Sequence, residues 1–309
     1  MSAPTPPPPP LPAPVPGQIL HLPLPGFGQV ATYLAGQGPP LLLVHSINAA
    51  ACAAEVLPVH QGLLASHTVL AIDLPGYGCS DRPDLAYTPR LMTDAVHAAA
   101  ALLRARCGGG GPVAALALSL SCEYLARAAA ERPAHFSSLA LVSPTGFNGK
   151  RVWRAAPGTT REVPGMLKIL RGPGAGWGAA LFRGLTRPGV IRYFLERTWG
   201  AKAIDEGLWQ YDLLTTRQPG AEFAPLHFLS AGLFSADIHT LYDQLGMPVW
   251  MSHGVRGDFT NYSGSGFVRH KPNWQFTRYP TGALPQFELP ERFCADLQAF
   301  LAGGRVAAA

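Results

Sequence analysis

A serine stands between an apolar run and a helix-like run in the stretch ALALSLSCEYLARAA, residues 115–129. The pattern predicts a buried strand that leads directly into a helix, with Ser119 at the turn and its hydroxyl exposed above the sheet. So sharp a turn requires small residues two positions to either side, and Ala117 and Ser121 are small. Ser119 is therefore a candidate nucleophile for acyl transfer.

A second polar group follows another apolar run, in LLLVHSINAA, residues 41–50. Attack by a serine on a carbonyl creates an oxyanion, which two fixed backbone N–H groups must stabilise. We expect these donors at Ile47 and at Leu120, where the dipole of the following helix assists. Asn48 and His45 are predicted to border bound substrate, and His45 chiefly to shape the loop.

The elements that position these residues can be recognised from the apolar pattern. Two alternating runs, QILHLPLP and GQVATYLAG, predict an antiparallel hairpin at the start. Continuous apolar runs separated by helix-like segments then predict strands that are buried on both faces; these runs lie within 41–46, 68–76, 112–119, 138–146, 247–254 and 273–282. The fold class is therefore α/β, with a mostly parallel sheet flanked by helices.

The alternation of strands and helices divides the chain into regions. It stops over residues 147–246, where helical patterns broken by Gly and Pro predict an inserted cap, and the core comprises 18–146 and 247–302. Residues 1–17 are mostly proline and predict a disordered, solvated tail. Residues 303–309 form a short C-terminal tail.

These motifs together resemble the α/β-hydrolase fold family, in its small esterase, epoxide hydrolase and dehalogenase-like branches. DLPGYGCSDRP, residues 73–83, is similar to the loop after the fourth strand of that family, and LLLVHS is similar to its oxyanion loop, with Ser46 in place of glycine. The resemblance covers the whole predicted core and implies a helical cap after the sixth strand. Serine rather than aspartate at position 119 implies ester-type acyl transfer.

The resemblance also implies the order serine, acid, histidine along the chain. Asp258 follows the 247–254 run and stands where the acid of the family would be. The histidine normally lies in a G-H-x-P-x-x-E-x-P frame, but here residues 282–290 read GALPQFELP, so Ala283 occupies its position. A methyl group cannot accept a proton, and Ala283 is left as an expected substrate contact.

Three explanations for the missing base remain open. The base is relocated, with His270 preferred over His253, His45 and the carboxylate of Glu123. Alternatively, the chain is a pseudo-hydrolase that binds a small ligand without cleaving it, or the substrate itself supplies the base. We predict a serine hydrolase of carboxylic esters or related acyl bonds with an atypical triad, and the non-catalytic binding protein is its alternative.

Composition excludes several other classes of protein. The net charge of +5 is modest and no nucleic-acid motif accompanies it, while no apolar run is long enough to span a bilayer. The N-terminus lacks the features of a signal peptide, and five unpaired, widely spaced cysteines fit free thiols in a reducing compartment. We therefore expect a cytoplasmic protein with neither metal nor organic cofactor, of undetermined oligomeric state.

The predicted cap is unusually basic. Residues 150–202 contain eleven Lys and Arg against two Glu, interleaved with six aromatic residues. One interpretation is a lid that receives a small acyl or amphipathic ligand, including an anionic one. The alternative is an ordinary surface, with solvated arginines outside and aromatic rings inside.

Overall fold

An eight-stranded sheet forms the centre of the computed structural model, which describes residues 10–149, 151–172 and 176–306. The strands are β1 (Gln18–Leu24), β2 (Gly28–Gly36), β3 (Pro40–Val44), β4 (Thr68–Ile72), β5 (Val113–Leu118), β6 (Phe136–Val142), β7 (Val249–Gly254) and β8 (Trp274–Tyr279). Their spatial order is β1-β2-β4-β3-β5-β6-β7-β8. The β1–β2 hairpin is antiparallel and β2 pairs antiparallel with β4, whereas all the other pairs are parallel.

Helices cover both faces of the sheet, and further helices lie beyond the carboxyl ends of its strands. They are α1 (Leu57–Leu63), α2 (Pro89–Arg106), α3 (Ser121–Glu131), α4 (Met166–Arg171), α5 (Gly176–Leu185), α6 (Pro188–Trp199), α7 (Glu206–Thr215), α8 (Phe223–Leu229), α9 (Ile238–Gln244), α10 (Gly266–Arg269), α11 (Pro285–Glu288) and α12 (Pro290–Leu301). On one face α2, α3 and α9 pack side by side, and on the other α1 packs against α12. The predicted α/β-hydrolase fold, including helices inserted after the sixth strand, is confirmed.

The continuous apolar strands are explained by the two cores that they separate. In β3, Leu42 and Val44 face the core beneath α2 and α3, while Leu41 and Leu43 face the core beneath α1 and α12. Successive side chains of a strand point to opposite faces, so a strand covered on both sides must be apolar at every position. This is why these runs show no polar alternation.

The predicted cap is less uniform than its sequence suggested. Helices α4 to α8 pack mainly on one another. Helix α9 instead packs against α3, and its Ile238 and Tyr242 belong to the same buried cluster as the strands. Phe147, at the start of the predicted cap, stacks on Tyr242 within that cluster. Both ends of the 147–246 segment are therefore part of the core.

The segment before β1 packs against the domain, in contrast to the predicted solvated tail of residues 1–17. Val15 is only 2% exposed and belongs to the core cluster beneath α1 and α12. The Pro12 carbonyl accepts a hydrogen bond of 2.7 Å from the Tyr211 hydroxyl of α7. Proline disfavours regular structure here but not burial, so residues 10–17 lie against the domain, with Pro14 and Val15 buried and most of the others exposed; residues 1–9 lie outside the described chain.

Replacement of Val15 tests this packing. We expect Val15→Ala to lower the free energy of unfolding by about 1–3 kcal/mol, because it removes two methyl groups from a closed core. The matched control is Ile19→Ala, since Ile19 is 47% exposed and should change stability by less than about 0.5 kcal/mol. Urea unfolding followed by circular dichroism provides the comparison, and equal effects would contradict the packed arrangement.

The predicted C-terminal tail, residues 303–309, is also partly packed. The Val306 N–H donates a 2.8 Å hydrogen bond to Gln275 of β8, and its side chain packs against the buried cluster. Residues 307–309 lie outside the described chain. Within the parts of the chain that the structure describes, no helix combines the length and apolarity needed to cross a membrane.

Candidate active site

The candidate site lies where the carboxyl ends of five parallel strands meet the cap. Loops after β3, β5, β6, β7 and β8 border a cavity of about 500 Å³, the edge at which ligands bind in open α/β sheets. Its floor includes Ser46, Ile47, Asn48, Glu55, Ser119, Leu120, Ser143, Thr145, Asp258 and Ala283. The cap supplies mainly apolar walls, including Leu195, Leu208, Phe228 and Phe234.

Ser119 stands on the turn between β5 and α3 in a strained conformation. Its φ is +52°, in the left-handed region that few residues other than glycine adopt. The Ser119 N–H donates to the Val142 carbonyl at 2.8 Å, which fixes the turn against β6. Such strain costs about 1–3 kcal/mol and persists only where neighbouring structure enforces it. The half-buried hydroxyl lines the cavity and bonds to no described side chain.

Two backbone N–H groups beside Ser119 are available to a ligand. Ile47 and Leu120 both line the cavity and are 3% and 1% exposed. In the described part of the chain, the N–H of neither residue donates to a protein acceptor. Leu120 also precedes the first turn of α3, whose dipole is positive at that end. The predicted oxyanion donors therefore face one cavity together with Ser119.

The loop that carries Ile47 is held by buried polar contacts. Both ring nitrogens of His45 are engaged, with the Ser46 carbonyl at 2.6 Å and the Leu74 N–H at 2.9 Å. His45 is fully buried and does not line the cavity, so the geometry fits the predicted loop-shaping role and gives no support to a substrate contact. Asn48 does line the cavity, but its amide bonds to Glu55 at 2.9 Å within the loop.

Asp258 is engaged by the cap. Its carboxylate receives two hydrogen bonds from Arg197 of α6, one of them 2.8 Å long. The backbone N–H groups of Asp258 and Ala283 donate to the Arg197 and Thr198 carbonyls at 3.2 and 2.8 Å. The carbonyl groups in the last turn of α6 thus accept hydrogen bonds from the two loops where the resemblance placed the acid and the histidine.

The predicted relocated bases lie away from Ser119. His270 is exposed and precedes β8, whereas the cavity lies beyond the other end of that strand, roughly 20 Å away for a six-residue strand. His253 bonds to the Gly254 carbonyl at 2.7 Å and stacks on Tyr262, and burial lowers its pKa. None of the ten histidines, all of which lie within the described ranges, lines the cavity. The structure therefore does not bring His270 to Ser119, and its role as the base stays a prediction without geometric support.

Glu123 is also fully engaged. It is buried in α3 and accepts hydrogen bonds from Thr145 at 2.6 Å, the Ser235 N–H at 2.7 Å and Arg161 at 2.9 Å. Arg161 reaches it from the cap and is also stacked over Trp153. The pair joins the cap to the helix that follows Ser119, so its role is structural.

Six of the ten described basic side chains of the cap form ion pairs, and the partner of Arg197 is the cavity residue Asp258. Arg154, Arg171, Arg192, Arg197 and Lys202 form ion pairs with acidic residues, and only Arg161 lines the cavity; Lys150 lies outside the described residues. Arg161 itself is paired with Glu123, so the described cap cation that borders the cavity is already compensated. No three or more His, Cys, Asp or Glu side chains cluster in a metal-binding arrangement anywhere in the described ranges.

Glu55 is the cavity residue that sequence reasoning missed. It lies in a short 3-10 helix, Ala53–Val56, and is only 4% exposed. Its oxygens accept hydrogen bonds from the Ser46 N–H, the Ser46 hydroxyl and the Asn48 amide. The available signal was one carboxylate within the apolar stretch AACAAEVL, since acidic residues are rarely buried without a partner.

The fold and this arrangement of loops agree with a comparison against protein families. The model described as the alpha/beta hydrolase family matches residues 41–303, so the chain belongs to that family. The match spans β3 to α12 and includes the cavity and the cap. No curated protein matches the chain at a significant level.

Solved structures of hydrolases share the architecture at low sequence identity. A serine hydrolase involved in carbazole degradation is 15% identical with a TM-score of 0.70, over 92% of this chain and 98% of that one. The 2-hydroxy-6-oxo-6-phenylhexa-2,4-dienoate hydrolase from Rhodococcus sp. is 16% identical, with a TM-score of 0.69 over 92% and 99%. An esterase from Thermogutta terrifontis is 19% identical, with a TM-score of 0.67 over 93% and 99%. At these identities the likeness establishes the fold alone.

Proposed function

We propose that this member of the family binds a small carbonyl compound in the cavity and does not turn it over at an enzymatic rate. The observation that carries the proposal is that, among the residues that the structure describes, no histidine lines the cavity that contains Ser119. Without a base, a serine hydroxyl is a weak nucleophile at neutral pH. In a well-studied serine protease, loss of the histidine alone costs ~10⁶ in turnover.

The binding mode follows from the groups that remain. The N–H groups of Ile47 and Leu120 would donate to the carbonyl oxygen of the ligand, and the Ser119 hydroxyl would add a third donor. The apolar walls, among them Leu208, Phe228 and Phe234, would enclose the rest of the molecule. A volume of about 500 Å³ is within the range of small-molecule sites, which bury most of the ligand surface in this way.

A slow serine hydrolase is the second candidate, and one specific observation favours it. Ser119 keeps its positive φ beside two free N–H donors, a costly arrangement that a simple binding pocket does not require. In that case the oxyanion donors alone would provide a rate of ~10³–10⁴ over water. A base supplied by the substrate would belong to the same candidate.

A fluorophosphonate probe separates the two candidates. We expect no labelling above that of a Ser119→Ala control, under conditions that label an active serine esterase to completion, because the described cavity residues include no histidine to remove the Ser119 proton. In-gel fluorescence over a time course provides the measurement. Rapid labelling that disappears in Ser119→Ala would overturn the binding proposal and establish the hydrolase.

A further inference from the structure

Glu55 places a negative charge in the cavity wall without a cationic partner. Its three hydrogen bonds, of 2.7, 2.9 and 2.9 Å, all come from neutral donors of Ser46 and Asn48. No Lys, Arg or His in the described ranges forms an ion pair with it. Its carboxylate is almost entirely removed from water, which leaves its charge poorly screened.

The other charges that border the cavity cancel. Arg161 pairs with Glu123 at 2.9 Å, and Asp258 pairs with Arg197. Among the cavity residues that the structure describes, Glu55 is thus the charge that remains uncompensated. A ligand in the cavity meets a net negative wall beside the oxyanion donors.

The cap helix above Glu55 adds no positive charge. Asp212 of α7 is 5% exposed, and its Oδ1 has no partner in the described structure. Burial first, and then the charge of Glu55, raise the pKa of Asp212 well above its usual value. Burial first, and then the nearby carboxylates, also raise the pKa of Cys52, which is buried in the same region.

One feature acts in the opposite direction. The N-terminus of α3 carries a partial positive charge of roughly half an elementary charge, and anions bind readily at such positions. Glu55 carries a full charge in a cavity with apolar walls, against roughly half a charge at the helix end. A carboxylate ligand would meet both, whereas a neutral carbonyl would keep its hydrogen bonds without the repulsion from Glu55.

We propose that Glu55 makes this site selective for neutral carbonyl ligands, such as esters, amides and ketones, over carboxylates. This selectivity rests on the proposed binding function and names its ligand class. It also replaces the expectation that the basic cap receives an anionic compound, because Arg161, the cap cation that lines the cavity among the described residues, is paired with Glu123. The same carboxylate would oppose an oxyanion on a bound ester, in agreement with binding without rapid turnover.

Three matched probes test the selectivity on the full-length protein. They are 2-naphthylacetamide, methyl 2-naphthylacetate and 2-naphthylacetate, which share one apolar group and differ at the carbonyl. We expect the acid, ionised at pH 7.5, to bind about 10- to 100-fold more weakly than the amide. Dissociation constants from calorimetry, with intrinsic fluorescence as a second method, provide the comparison.

Two variants of equal charge change assign the effect to Glu55. Glu55→Gln should reduce the difference between acid and amide to less than about threefold, whereas Glu162→Gln, at an exposed position outside the cavity, should leave it unchanged. Acid binding as tight as amide binding in the wild-type protein would overturn the selectivity while leaving the binding function intact. If none of the three probes binds, both proposals fail. The comparison of acid and amide binding to the wild-type protein tests the selectivity even if the Glu55→Gln variant does not fold.

Discussion

Ala283→Gln should leave ester hydrolysis at the background rate, whereas Ala283→His should raise it by about 10²-fold. The residue lines the cavity together with Ser119, so an imidazole at this position has a proton to remove. The gain is limited because Asp258 is bound to Arg197 and cannot orient the new ring. In subtilisin, loss of the acid costs ~3 × 10⁴ and loss of the histidine ~2 × 10⁶, so a histidine without its acid is worth roughly 10². Initial rates with p-nitrophenyl butyrate measure the effect.

Release of Asp258 should extend that gain. The Arg197–Asp258 pair is 48% and 40% exposed, so its loss should cost at most about 1 kcal/mol of stability. We therefore expect Ala283→His with Arg197→Gln to exceed Ala283→His by a further 10- to 1000-fold, which stays below the ~3 × 10⁴ that the acid is worth in subtilisin. Ser119→Ala in the same background must abolish the gain. Equal rates for the single and double variants would count against Asp258 as the acid of this site.

Asp237→Ala should be the most destabilising single substitution proposed here. Asp237 binds Arg127 of α3 through two hydrogen bonds and accepts the Gly158 N–H at 2.9 Å. The two side chains are only 8% and 3% exposed. Removal of one partner leaves a buried, unpaired guanidinium, at a cost of about 3–5 kcal/mol. Thermal unfolding should show a fall in Tm of roughly 6–15 °C.

An exposed ion pair provides the control for that prediction. Asp94 pairs with Arg90 at 2.8 Å, with both side chains 48% exposed, so Asp94→Ala should cost less than about 1 kcal/mol. Similar Tm values for the two variants would show that the Asp237 pair is not closed to water. Because the pair joins α3 to the start of α9, its loss should affect the core more than the cap.

The fold could be predicted from the sequence because its signals are local. The apolar runs of β3 to β8 and the serine at the end of β5 depend on neighbouring residues alone, and each run contains the observed strand or most of it. The boundaries of the cap could not be predicted, because α9 has a helical pattern like that of α8. Only its contact with α3 assigns it to the core.

The site could be predicted only where a strand end determines a position. Ser119, Ile47 and Leu120 meet for that reason. His270 directly precedes the predicted 273–282 run, which places it at the amino end of a parallel strand and opposite Ser119, so the predicted strand order already argued against it. The ion pair between Asp258 and Arg197 and the lack of a cationic partner for Glu55 depend on how the cap packs against the core. The sequence contains no pattern for either feature.

The contact between α6 and the two loops has a kinetic consequence. A rigid-body opening of the cap would break the hydrogen bonds from Asp258 and Ala283 to the α6 carbonyls together with the Arg197 pair. Each bond that must break adds to the barrier to opening, but it does not change the affinity of the closed state for a ligand. A ligand enclosed here should therefore leave slowly, so residence time, more than equilibrium affinity, would set how long the occupied protein persists.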